Sequence, residues 1–264
     1  MCLDDSPAQP SLDGLAKLHA KHPHATLCCS DLPSPDGCQP LEVEESEVRK
    51  AILSFTAVSA GGHDGLRPQH LKELVLCRES CQELLTDLTA FVNMLLAGRC
   101  PKTVAPVFFG GRLLALHKKS GGIRPIAIGL TLRHLASKCA NSAIMAHLRP
   151  QFAPWQLGLG MSGCCEAAVH STRHYLESLA PGHVVVKLDF SNAFNNIHRT
   201  DMLQAVFDRI PELFAFTNSA YSARSTLYYG PHTVCFHKRV HSKVTLWSTF
   251  VLQYCPSTSF ISGF

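Results

Sequence analysis

The chain has 264 residues, 46% of them hydrophobic and 17% charged, a balance that allows a sizeable core and excludes a low-complexity or wholly disordered polypeptide. A formal charge of +4 is too small for a histone-like binder, so any grip on nucleic acid has to come from local patches. The start Met1-Cys-Leu-Asp-Asp5 is acidic where a secretory signal is basic, no apolar run reaches the roughly 20 residues of a membrane span, and the twelve cysteines are irregularly spaced. The expectation is therefore a reduced intracellular protein of nucleus or cytoplasm, not secreted, with no membrane partner, no zinc site and no sign of a specific protein partner.

In chain order, residues 1–40 read as a disordered linker. From Lys21 to Pro40 turn formers dominate and no apolar period is present, so folded structure is expected from Leu41. Glu42 to Phe55 places acidic residues in the first turns and Val48, Ile52 and Phe55 on one face, the pattern of a short amphipathic helix. Ser59 to Pro68 is a Gly-rich loop, with Pro68 suited to open a helix through Val75. Gln82 to Leu96 repeats apolar residues at helical spacing and stops at Gly98.

Val104 to Phe109 and Arg112 to His117 read as strands, and Lys118 to Gly122 as the turn of a basic hairpin that returns through Arg124 to Ile128. Thr131 is placed to cap a helix that Pro150 ends, and Cys164 to Leu179 is a second helix. After the break at Pro181-Gly182, Val184 to Leu188 reads as a buried apolar strand. Thr200 to Arg209 is helical and Ser225 to Tyr229 extended.

Four segments then line up in order: Ala60-Gly-Gly-His-Asp-Gly-Leu66, the hairpin Leu113 to Ile126, Gln156-Leu-Gly158, and Leu188-Asp-Phe-Ser-Asn-Ala-Phe194. Together they resemble the fingers and upper palm of the reverse transcriptases of non-LTR retrotransposons, over roughly Leu41 to Val234. The resemblance implies an α+β fold, a partial right-hand polymerase made of fingers and an incomplete palm, and an RNA-directed DNA polymerase ancestry. It divides the chain into a linker (1–40), a reverse transcriptase part (41–234) and a tail outside the family pattern (235–264).

In that family, palm carboxylates hold Mg²⁺ against the primer 3′-hydroxyl and the triphosphate of a deoxynucleotide, on an RNA template with a DNA primer. Asp189 matches the first catalytic carboxylate and metal ligand, and the carbonyl of Phe190 is the next metal donor. Phe194 occupies the place of the aromatic beneath the sugar, where a ring clashes with a 2′-hydroxyl. Lys118, Lys119 and Arg124 match the hairpin that meets the triphosphate, with Arg124 offering a planar fork and the lysines point charges. Gln156 and Gly158 match a segment at the template side. His63 stands where a Gly-Pro-Asp-Gly loop has its proline, which loosens that loop.

Two family motifs are missing after Asp189. No Ala/Tyr-x-Asp-Asp pair follows, and Asp201 and Asp208, the only later aspartates, fall on an amphipathic helix. One carboxylate does not hold two divalent ions at catalytic spacing, so a catalytically inactive fragment is expected. The Gln-Gly-Asp-Pro motif is also absent, yet codons permitted for His241 through Trp247, read one base out of frame, spell Gln-Gln-Gly-Asp-Pro-Leu. Residues from about Cys235 are accordingly read as frameshift translation, with poor order expected from Val234 onward; incompatible third bases in the DNA would exclude this. The alternatives are an inactive nucleic-acid-binding module, a translated remnant without function, and a helical scaffold in which the Asp189 strand is ordinary core.

Overall fold

The computed structural model describes residues 6–21, 32–56, 58–77, 81–119, 121–152, 163–186 and 198–236. Over these the chain is α+β: a helical body is joined to a small mixed sheet.

The helical body assembles where the apolar period is strongest. Helix α2 (Glu45–Leu53) opens with a reciprocal cap in which the Glu44 N–H donates to the Glu47 carboxylate at 2.9 Å. It buries Val48, Ala51 and Ile52 against α3 (Pro68–Leu76), α4 (Cys81–Leu96) and α6 (Thr131–Phe152). The lead-in to α2 is tied to α4 by a side-chain amide: Asn93 accepts from the Val43 N–H at 2.9 Å and donates to the Val43 carbonyl at 3.0 Å. Helix α4 ends as its pattern predicts, with Gly98 at φ 70° donating to the Leu95 carbonyl at 2.9 Å.

Two further helices complete this core, α8 (Arg199–Arg209) and α9 (Phe214–Tyr221), which bury Met202, Leu203, Val206, Phe214 and Phe216. Helix α7 (Cys164–Glu177) buries no residue.

The sheet is built around β2 (Gly111–His117). From Arg112 to His117 it pairs antiparallel with β3 (Ile123–Ile128), forming the expected hairpin. On its other edge, β4 (Ser225–Tyr229) pairs parallel with Gly111 and Arg112, while β1 (Ser6–Pro7) pairs antiparallel with Leu116 and His117. Strand β5 (His232–Phe236) pairs antiparallel with β4 and runs through Cys235 and Phe236, slightly past the expected junction with the tail. The remainder of the tail, 237–264, lies outside the described residues.

Order begins well before Leu41, which corrects the reading of residues 1–40 as a linker where α1 lies; residues 1–5 and 22–31 lie outside the described residues. Ser11 caps α1 (Leu12–Ala20) by accepting from the Gly14 N–H at 3.0 Å. Leu18, fully buried, joins Leu113, Ala115, Ile123, Leu227 and Tyr229 in a second core between α1 and the sheet. Burying one leucine contributes about 2 kcal/mol. Tertiary docking is what holds α1, because a nine-residue helix is marginal on its own.

Two strand assignments are also corrected. Val104 to Phe109 contains α5 (Ala105–Phe108), a helical turn with Pro106 near its start. In a strand, Phe108 and Phe109 would point to opposite faces; in the turn both join an edge-to-face series from Phe91 to Phe216, with centroid separations of 6.1, 5.2 and 6.1 Å. Of the expected Val184 to Leu188 strand, Val184–Val186 lies in no strand and is 75, 48 and 70% exposed, while Lys187 and Leu188 lie outside the described residues. β-propensity measures fit to a pleated, half-buried surface, and among the described residues no strand pairs with this run. Helix α6 also continues two residues past Pro150, although that residue has no N–H to bond back along the helix.

Candidate nucleic-acid interface

The basic hairpin has the geometry that its sequence calls for. Lys118 closes the turn through its N–H to the Gly122 carbonyl at 3.1 Å, and the Gly121 N–H returns to the Lys118 carbonyl at 3.0 Å. Gly121 and Gly122 take φ of 82° and 80°, a conformation that costs a side-chain-bearing residue far more. Lys119 is exposed and Lys118 half-buried, so the turn presents two ammonium groups at the tip of a rigid ribbon.

Cross-strand register divides the ribbon into two faces. Leu113, Ala115 and Ile123 are buried on the side that α1 covers. Arg124 stands opposite Leu116 on the other side, which also carries Arg112, Leu114, Ile126 and Ile128. None of those six is buried. This half-open face is apolar in the middle and cationic at both ends. Lys119 and Arg124 each already engage a partner, so they contribute to the field of this face without being bare cations.

The loop of residues 60–66 is a defined turn in spite of His63. Gly65, at φ 74°, donates to the Gly62 carbonyl at 3.3 Å, and the Leu66 N–H donates to the Asp64 carboxylate at 3.1 Å. Thr131, expected to cap α6, instead donates its hydroxyl to the Leu66 carbonyl at 2.5 Å. The His63 ring lies 5.0 Å from that of Tyr228, whose register partner is Arg112. Loop and hairpin therefore meet at the Arg112 end. The lysine turn is at the far end of β2, about 20 Å away for a strand of this length.

Asp189, Phe190, Phe194, Gln156 and Gly158 lie outside the described residues. Among the described residues no group of three or more His, Cys, Asp or Glu side chains is placed to hold a metal ion, and no helix is long and apolar enough to cross a membrane. Asp208 is exposed and accepts from Gln204 at 2.9 Å on α8, and Asp201 lies in the first turn of the same helix, in keeping with a solvated helix face. Cys38, Cys77, Cys81, Cys100, Cys139, Cys164 and Cys165 are free thiols.

The sequence reading missed the two buried arginines behind the hairpin. Arg133, 7% exposed, donates to the carbonyls of Phe109 at 2.7 Å and Gly110 at 3.3 Å. Arg199, 2% exposed, donates to Tyr221 and Ala223 carbonyls at 3.1 and 2.5 Å and stacks on the Tyr221 ring at 5.6 Å. Both line a cavity of about 10 Å³, room for no more than a water molecule, so they brace the site and do not form a ligand pocket. Nothing in an isolated arginine codon signals burial, because the residue type is mostly exposed.

A second cationic pair sits at the end of α2. Lys72 donates to the Phe55 carbonyl, and Lys138 donates to the Ser54 carbonyl at 3.4 Å with its ammonium 4.9 Å from the Phe55 ring centroid. These groups satisfy the negative end of the helix dipole. Burial, and then the charge of Lys72, hold the Lys138 ammonium below its ordinary pKa. The chain matches no protein-family model and no curated protein.

Proposed function

We propose that the chain is a reverse-transcriptase-like domain fragment of a retroelement, which engages RNA template, DNA primer or deoxynucleotide through its basic hairpin and does not polymerise alone. The observation that carries this reading is the Lys118–Lys119 turn on a rigid ribbon whose half-open face bears Arg124 opposite Leu116. Phosphate recognition needs charge at a fixed place, and a hydrogen-bonded hairpin supplies that.

Asp189 and the Phe190 carbonyl are the residues that would hold Mg²⁺, whose part would be to neutralise phosphate charge. One carboxylate and one carbonyl are too few donors for the two ions of a polymerase. Primer extension on an RNA template with Mg²⁺ or Mn²⁺ tests this directly. No product is expected; extension that disappears in Asp189→Asn would overturn the claim of inactivity.

A further inference from the structure

Helix α7 stands apart from both cores. None of its residues is buried, yet Val169, Tyr175 and Leu176 are apolar and about half exposed, at 49, 49 and 51%. Cys165, Val169, Thr172 and Leu176 follow one another at spacings of four, three and four, the stripe of a coiled-coil seam. Counting from that stripe, Glu166 and Arg173 flank it on one side, and Ala168 and Tyr175 flank it on the other.

We infer that this stripe is the interface of an antiparallel homodimer, in which α7 packs against α7 of a second copy about a two-fold axis. The occupant follows from self-complementarity. In antiparallel pairing, Val169 opposes Thr172 of the second copy and Cys165 opposes its Leu176. The same alignment sets Glu166 beside Arg173 of the second copy, and the two-fold repeats the pair in reverse. On the opposite flank each Tyr175 ring meets a small Ala168. A parallel pairing would set Arg173 beside Ala168 and leave both charges unmatched.

The helix is only about 21 Å long, so association in the micromolar range is expected. Each partner surface is already exposed in the single chain, so substitutions there leave both cores untouched.

Sedimentation velocity of the full chain, under reducing conditions that exclude a disulfide through Cys164 or Cys165, is the test. Wild type is expected to show a reversible monomer–dimer equilibrium. Glu166→Arg and Arg173→Glu should each raise the dissociation constant about tenfold, since two attractive pairs become repulsive. The double reversal should bring it back to near the wild-type value, and Leu176→Asp should leave monomer. A chain that stays monomeric to about 200 µM would overturn the proposal. So would association that ignores the single reversals or is not rescued by the double one, which is how non-specific stickiness behaves.

Discussion

Arg133 donates to the Phe109 carbonyl at 2.7 Å across the junction between α5 and β2, and so fixes the base of the basic hairpin to the first turn of α6. The same guanidinium reaches the Gly110 carbonyl at 3.3 Å. Arg133→Met fills similar volume but strands both acceptors, and is expected to destabilise the fold by about 2–3 kcal/mol. Arg133→Lys, with a single point donor, should recover part of that. Urea unfolding followed by circular dichroism gives both differences; an unchanged midpoint for the methionine variant would show that the carbonyls are satisfied otherwise.

Gly110 allows the sheet to form behind that junction. A Cβ at this position would lie 2.0 Å from the Thr226 carbonyl oxygen, so the chain must pass β4 at glycine distance. Gly110→Ala is expected to cost about 3 kcal/mol or more, because the obstacle is backbone and cannot rotate away. Thermal melts of the variant should show a lower midpoint, whereas Gly37→Ala, which meets nothing within 4 Å, should be nearly neutral.

His134 supplies a pH dependence. Burial first, then the charges of Arg133 and Lys138, lower its pKa from 6.5 to about 4. The unfolded chain thus takes up the proton at a higher pH than the folded one, and stability falls as pH drops through the unfolded value towards 4, then levels. The gap corresponds to about 3 kcal/mol. His134→Gln should flatten stability between about pH 7.5 and 4; a profile as steep as wild type would assign the acid sensitivity to other groups.

Thiol reactivity separates core from surface. Cys139 is 1% exposed and burial pushes its pKa up to about 12, whereas Cys77 is exposed. At pH 8 peptide mapping should find Cys77 alkylated within minutes and Cys139 protected until denaturant is added. Rapid labelling of Cys139 in the native chain would mean that the contact of α6 with α2 and α4 opens readily.

Much of this architecture was legible because local signals agreed with one another. Acidic first turns, Pro68, Gly98 and the 3.6-residue period mark α2, α3 and α4, and the Lys118–Gly122 turn marks the hairpin. What escaped depends on partners far away in sequence. Gly111 and Arg112 pair with Leu227 and Tyr228, and Ser6 and Pro7 with Leu116 and His117, which no window around either segment reports. Phe108 and Phe109 are β-formers by type, yet they end and cap a helical turn in which both rings meet aromatic neighbours. Val184–Val186 shows the converse: the apolar composition was plain, while the lack of a pairing strand among the described residues was not.

We propose that the basic hairpin grips nucleic acid by charge. Fluorescence anisotropy of a labelled RNA–DNA primer–template, titrated with the full chain across a salt series, measures it most directly. Affinity should fall linearly with log salt, and Lys118→Gln/Lys119→Gln should weaken binding and reduce the slope by about 2. Binding that is absent at low salt, or that keeps the same slope without these two lysines, would contradict it.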